Sequence, residues 1–313
     1  MRHDSRVNSE DRSLALVLVS HGGMARVRLA DGATVLARAT GRELQFACGD
    51  QVHCAYDARH DQWQLDDIAP RRSALYRTNA RGRPELVAAN LDCLAVVLAP
   101  LPQPDLFVVD RYLAAAHSAG LSALLIANKA DLEFSPQVRA ELAAYTAAGC
   151  ELQSCCAQSG AGLDALRARL QHQRSMLVGQ SGVGKSSLLR ALVPGADAAV
   201  GELLKGDEGR HTTSVSCLHD LPGGGALIDS PGVRDFAPAL EYLDARTLGF
   251  AEVALLAPRC RFADCAHLQE PDCAIRAAVE DGSMSARRYE SYRRLYRLHQ
   301  QLRERAPRGR RKN

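Results

Sequence analysis

The segment Gly179-Gln180-Ser181-Gly182-Val183-Gly184-Lys185-Ser186-Ser187 constrains the fold more than any other stretch of the chain. It fits G-x-x-x-x-G-K-[ST] and stands between an apolar run at 174–178 and a helical stretch at 186–192. Glycines at this spacing let successive backbone N–H groups turn inward around phosphate oxygens, and the helix start adds positive potential. Lys185 would reach the β- and γ-phosphates of a nucleotide, and the Ser186 hydroxyl would ligate Mg²⁺.

Asn128-Lys129-Ala130-Asp131 follows a second strand-like run, 123–127, and so lies where open α/β sheets bind ligands. Asp131 can accept hydrogen bonds from the ring N–H and exocyclic amine of guanine, a donor pair that adenine lacks. A carboxylate left unpaired makes the wrong base costly. Lys129 can cover the base with its stem, and Asn128 can tie this loop to the phosphate loop. Asp229-Ser230-Pro231-Gly232, after the apolar run 226–228, reads as D-x-x-G. Asp229 can hold the Mg²⁺ shell and the Gly232 N–H can sense the γ-phosphate. Gly223-Gly224-Gly225 is then the hairpin turn before that strand. Gly209-Arg210-His211-Thr212-Thr213 offers a switch threonine to complete the Mg²⁺ shell, with Thr213 preferred to Thr212. Val233 occupies the place where a glutamine commonly orients the attacking water, which leaves His211 as the nearest candidate for that task.

The order of these motifs is unusual. Ordinary GTPases run phosphate loop, switch threonine, D-x-x-G, N-K-x-D, whereas here N-K-x-D begins 51 residues before the phosphate loop. The same sheet forms if the original ends are joined and the chain is cut in a surface loop. The cut places the chain's exit just after D-x-x-G, so the following segment is tethered to the element that moves on hydrolysis.

The flanks read differently. Runs at 14–19, 24–29, 34–39, 51–56 and 63–68, with Asp31-Gly32 and Gly49-Asp50 as turn signals, predict five short strands closing a small barrel, OB-type or SH3-like. Residues 70–84, with Arg71, Arg72, Arg77, Arg81 and Arg83, read as a basic linker. Strands at 94–99, 123–127 and 174–178 alternate with helices at 106–118, with Asp105 as N-cap, 136–147, with Ser135-Pro136 at its start, and 186–192, which implies a mostly parallel sheet with helices on both faces. Cys260, Cys265, His267 and Cys273 offer three thiolates and an imidazole within fourteen residues, a tetrahedral Cys₃His set suited to one structural Zn²⁺. The remaining seven cysteines of the ten, Cys48, Cys54, Cys93, Cys150, Cys155, Cys156 and Cys217, receive no role at the metal. Residues 287–313 hold eleven Lys/Arg against Glu290 and Glu304, a local +9 on a chain of net +3, which leaves −6 elsewhere. A basic helix with a stripe of Tyr289, Tyr292, Leu295, Tyr296, Leu298 and Leu302 suits RNA phosphates outside and the metal module inside. No run approaches the roughly 18 apolar residues of a membrane span, and residues 1–12 lack the apolar core of a secretory signal, so a cytoplasmic protein without a membrane partner is expected.

On NKAD (128–131), GQSGVGKSS (179–187), GRHTTS (209–214), DSPGVRDF (229–236) and the Cys/His stretch 260–282, the sequence resembles the circularly permuted GTPases of the small-ribosomal-subunit-dependent GTPase A family, RsgA or YjeQ. The resemblance implies a multidomain α/β protein: a disordered 1–13, an OB-fold at 14–70, a linker at 71–87, a permuted P-loop GTPase domain at 88–247 and a zinc-binding helical domain with a basic tail at 248–313. It further implies GTP/GDP with Mg²⁺, a small ribosomal subunit and its rRNA as partners, a monomer, and late subunit maturation with hydrolysis stimulated by the subunit. Cys156-Ala157 takes the place of the family's guanine-supporting Ser-Ala pair, and the Ala157 N–H is expected to meet the guanine carbonyl. A GTP-binding RNA-assembly scaffold with little hydrolysis is the runner-up. Lys185, Ser186, Thr213 and Asp229 speak against it, because a non-hydrolysing scaffold needs no complete Mg²⁺ shell. A kinase or ATPase is disfavoured by N-K-x-D.

Overall fold

A computed structural model of the chain describes residues 12–21, 23–40, 44–79, 81–196, 216–230 and 238–305. Five strands, β1 (Ser13–His21), β2 (Met24–Arg28), β3 (Thr34–Ala39), β4 (Gln51–Asp57) and β5 (Gln62–Ile68), close on themselves in the order β1-β2-β3-β5-β4-β1. Only β3–β5 is parallel. This is the five-strand OB-like closure, and it decides between the two barrels the sequence left open. Alternation along β2 turns Ala25 and Val27 inward, where they meet Val17, Val52, Cys54 and Leu65. A bulge between Val17 and Val19 shifts the register of β1. Val17 stays in the barrel core, while Leu18 and Val19 enter the main core outside it.

The stretch expected as a linker is a built element. β6 (Ala74–Thr78) and β7 (Pro84–Ala89) form an antiparallel hairpin, its turn pinned by Asn79, whose side-chain oxygen accepts from the Arg81 and Arg83 N–H groups. Three of the arginines that suggested a basic tether are spent on carboxylates: Arg71 on Asp50, Arg72 on Asp92 and Arg77 on Glu85.

The larger sheet runs β10 (Glu151–Ser154), β9 (Ser122–Ala127), β8 (Cys93–Leu98), β11 (Arg174–Val178) and β13 (Ala226–Asp229), all parallel, and then β12 (Cys217–Asp220), antiparallel to β13. Successive residues of β8 point to opposite faces. Leu94, Val96 and Leu98 pack towards α1 (Leu106–Ser118) and α2 (Pro136–Ala147). Cys93, Ala95 and Val97 pack towards α3 (Leu163–Leu170) and α4 (Lys185–Leu192). The all-apolar β8 follows from burial on both faces. As the sequence predicts, Asp105 caps α1 by accepting from the Phe107 N–H, and Ser135 caps α2 with Pro136 in its first turn.

Past residue 250 come α5 (Ala251–Leu256), α6 (Ala274–Glu280) and the long α7 (Ala286–Arg305). Phe250, Val253, Ile275, Tyr292 and Leu295 share the core on the α1/α2 face, so the C-terminal module has no separate interior. Among the described residues, no helix is long and apolar enough to cross a membrane.

Candidate functional site

The phosphate loop leaves β11 at Gly179, whose φ of +144° and close approach to β8 exclude a side chain: a Cβ there would lie 2.2 Å from the Val97 carbonyl oxygen. It ends at Gly184, left-handed at φ +96°, where a Cβ would lie 2.4 Å from Asn128 Nδ2. Lys185 Nζ curls back over the loop and donates to the carbonyls of Gly179 at 2.6 Å and Gln180 at 2.7 Å. Ser186 is exposed at the start of α4, while Val183 is buried beneath the loop. Gly182, Ser181 and Ser187 complete the exposed rim.

The N-K-x-D loop is bonded to this loop at two points. Asn128, fully buried, donates from Nδ2 to the Val183 carbonyl at 2.9 Å. Lys129, in the left-handed region at φ +59°, donates to the carbonyls of Leu101 at 2.6 Å and Gly182 at 2.8 Å. Asp131 is exposed at the open side. The Cys155-Cys156-Ala157 turn buttresses the loop: the Cys156 thiol donates to Asp131 Oδ1 at 3.1 Å, and the Cys155 thiol lies 3.8 Å from Asn128 Oδ1. The Ala157 N–H, expected on a guanine carbonyl, is donated to Asn128 Oδ1 at 3.1 Å. Burial pushes the Cys155 thiol up to about 11, so it stays protonated as a donor. Sequence reading missed Leu101 and the Gln180 side chain, which accepts from the Asp105 N–H at 2.8 Å and so fixes the start of α1 against the loop. No local signal marks either contact.

Asp229 ends β13 beside the phosphate loop. Burial lifts its carboxyl above the ordinary range, against the opposing pull of His219 and Lys185. A hydroxyl at Ser186 and a carboxylate at Asp229 are hard oxygen donors of the kind Mg²⁺ takes. His211, Thr212, Thr213, Gly232 and Val233 lie outside the described residues.

The Cys/His set meets in space: the ligand atoms of Cys260, Cys265, His267 and Cys273 all lie within 4.8 Å of one another. His267 Nδ1 is 3.5 Å from the Cys260 sulfur and 3.6 Å from that of Cys273. Tetrahedral Zn²⁺ with bonds of about 2.3 Å to sulfur and about 2.0 Å to nitrogen would bring its ligands to such separations. His267 adopts φ +60°, and its carbonyl accepts from the Tyr289 hydroxyl at 2.6 Å, while the Ala266 carbonyl accepts from Tyr292 at 3.1 Å. Both tyrosines belong to the apolar stripe of α7, so the helix grips the metal loop directly. Burial, then neighbouring thiols, push Cys265 up to about 12, and burial lowers His267. Metal binding would therefore displace a proton from sulfur and find the imidazole already neutral. Burial opposes the charge on Glu270, yet the N–H groups of Ala266, Leu268 and Gln269 hold it at about 2. That carboxylate staples the turn carrying His267.

The model of the RsgA GTPase family matches residues 68–238. The small ribosomal subunit biogenesis GTPase RsgA of Gemmatimonas aurantiaca is 43% identical over 297 residues, covering 90% of this chain and 95% of that protein. Its namesake from Pseudomonas aeruginosa is 40% identical over 291 residues, covering 89% and 83%. The fold is that of YjeQ from Thermotoga maritima, with a TM-score of 0.68 at 24% identity over 92% of this chain and 98% of that one. YloQ, a circularly permuted GTPase, superposes with a TM-score of 0.67 at 22% identity over 98% and 100%. With a permuted nucleotide site joined through Asn128, an OB-like barrel before it and a Cys/His cluster behind it, the chain belongs to the RsgA GTPase family.

Proposed function

We propose that this GTP hydrolase acts in late maturation of the small ribosomal subunit, binding rRNA through its barrel and its basic C-terminal end, and that the subunit stimulates hydrolysis. The observation that carries the nucleotide reading is the bond from Asn128 to the Val183 carbonyl, which joins the N-K-x-D and phosphate loops despite their reversed order. The curated name of the Gemmatimonas relative supports the small subunit as partner.

In this reading Asn128, Lys129 and Asp131, backed by Cys156 and Ala157, hold the base. Residues 179–187 hold the phosphates, with Lys185 on the β- and γ-phosphates. Ser186, Thr213 and Asp229 hold Mg²⁺, which supplies charge neutralisation at the transferred phosphate. Gly232 senses the γ-phosphate and His211 positions the water. Cys260, Cys265, His267 and Cys273 hold one structural Zn²⁺. The protein works as a cytoplasmic monomer, with an OB-fold at 14–70, a GTPase domain at 88–247 and a metal-binding domain at 248–313 coupled to the switch.

The test is GTP turnover with and without purified small subunits, with ATP as competitor. Free protein is expected to turn over far below the roughly 10 s⁻¹ median of enzymes and to accelerate on adding subunits, with ATP without effect. Equal slow rates in both arms would favour the scaffold instead.

A further inference from the structure

Each of the two motifs that answer to a γ-phosphate is followed in the chain by a segment bonded to the N-terminal half of the molecule. After residues 209–214 comes β12, whose Cys217 pairs with Val19 of β1 and whose Asp220 takes a two-pronged ion pair from Arg28 of β2, at 3.1 and 2.5 Å. β12 lies against β13 with Cys217 opposite Asp229, and the Ser216 hydroxyl donates to that of Ser230 at 2.9 Å. After D-x-x-G comes Pro238, which pairs with Arg77 of β6. The Ala239 N–H donates to the Tyr76 carbonyl at 3.0 Å, and the Tyr242 ring stacks on Tyr76 with centroids 3.9 Å apart and planes 6° from parallel. β7 carries the contact on to the barrel, where Ala88 pairs with Cys48 and the Ala89 N–H donates to the Cys48 carbonyl at 3.0 Å. Leu18, Val19, Leu75, Val87, Leu218 and Leu240 share one buried cluster. The bulge in β1 is what turns Val19 into it.

Close-packed cores of this kind shift between discrete arrangements rather than flexing continuously. We propose that the nucleotide site is coupled to the barrel along two routes, with Arg28, Asp220, Tyr76 and Tyr242 as positioning residues. A partner that grips the barrel resets Asp229 through β12 and the stretch from Pro238 to Tyr242 through the β6–β7 hairpin. This is the route by which it regulates hydrolysis, and it rests on the GTPase reading of the site. Linkage makes the effect reciprocal: GTP and GDP must then set the barrel differently.

The test is amide hydrogen exchange on the full chain loaded with GDP or with a non-hydrolysable GTP analogue. Peptides covering β1 and β6 are expected to exchange at rates that differ by about fivefold or more between the two states. Tyr242 is half-exposed, so Tyr242→Ala should fold, bind both nucleotides and keep the basal rate, yet lose the difference at β6. Arg28→Ala should lose it at β1, and Tyr242→Phe, which keeps the stack, should retain it. A merely structural contact would raise exchange equally in both states and leave the difference intact, which overturns the proposal. So would a wild-type chain that binds both nucleotides and shows no difference. A chain that binds neither nucleotide instead sinks the reading of the site itself.

Discussion

In the proposed reading base choice turns on Asp131, whose carboxylate the Cys156 thiol contacts. A thiol at 3.1 Å from Oδ1 orients the carboxylate with one weak hydrogen bond, sulfur being a poor donor. Cys156→Ala is therefore expected to weaken GDP binding by about three- to tenfold, the equivalent of about 1 kcal/mol, while Cys156→Ser holds or tightens it. Asp131→Asn sets an amide donor against guanine's own donors and should cost about a hundredfold or more. Titration calorimetry with GDP reads all three, and an alanine variant that binds like wild type would remove the role of the thiol. These proposed roles could be read from the chain because a P-loop or N-K-x-D motif is a local backbone shape with its donors attached. The bond from Asn128 to Val183 could be foreseen, since both motifs must meet one nucleotide. The bond from the Ala157 N–H to Asn128 Oδ1 could not, because it joins residues 29 positions apart that only the packing of the two loops brings together.

At the scale of elements, α7 is joined to α1 and α2 by buried charge. Asp110, fully buried in α1, accepts from Arg287 and from Arg288, each at 2.7 Å, and from the Tyr145 hydroxyl of α2 at 2.8 Å. Arg288 also pairs with Glu252, and Arg287 with Glu141 at 2.8 Å. Removing the shared partner leaves two guanidiniums with one carboxylate each where each had two. Asp110→Ala is expected to cost about 3–5 kcal/mol and to lower the unfolding midpoint by roughly 5–10 °C. Asp110→Leu combined with Arg287→Met, Arg288→Met, Glu141→Gln and Glu252→Gln should recover much of that loss, because a buried ion network is costly to break but not to replace whole. Scanning calorimetry checks both, and a midpoint unmoved by Asp110→Ala would show that the clamp carries no stability. The helices themselves were readable from caps and period, and so was the stripe on α7. The hairpin at 74–89 was not: Pro84 and a density of arginine disguise two strands, of which Arg77 pairs with Glu85 across the hairpin itself.

For the whole molecule, the metal is expected to hold the C-terminal module in shape while the nucleotide site stands without it. Stripping it with a strong chelator should expose Cys260, Cys265 and Cys273 to thiol reagents and reduce helical circular dichroism. GDP affinity should change by no more than about threefold, since the two sites share no residue. Thiols that stay unreactive after chelation would argue against a metal-dependent fold. The permuted order is tolerated for a related reason. A parallel sheet is held by neighbours in space, and β8 bonds to β9 on one side and β11 on the other whichever is made first.

What the chain announced by itself was whatever a few neighbouring residues can encode: phosphate, guanine and metal ligands, caps, strand periods and the reversed order of the motifs. What tertiary structure alone decided was the set of joints: the bulge that turns Val19 outward, Arg28 on Asp220 across 192 positions, Tyr76 on Tyr242 and Asp110 beneath two arginines. Such contacts leave no local mark, because each half is an ordinary surface-type residue until folding removes the water between them.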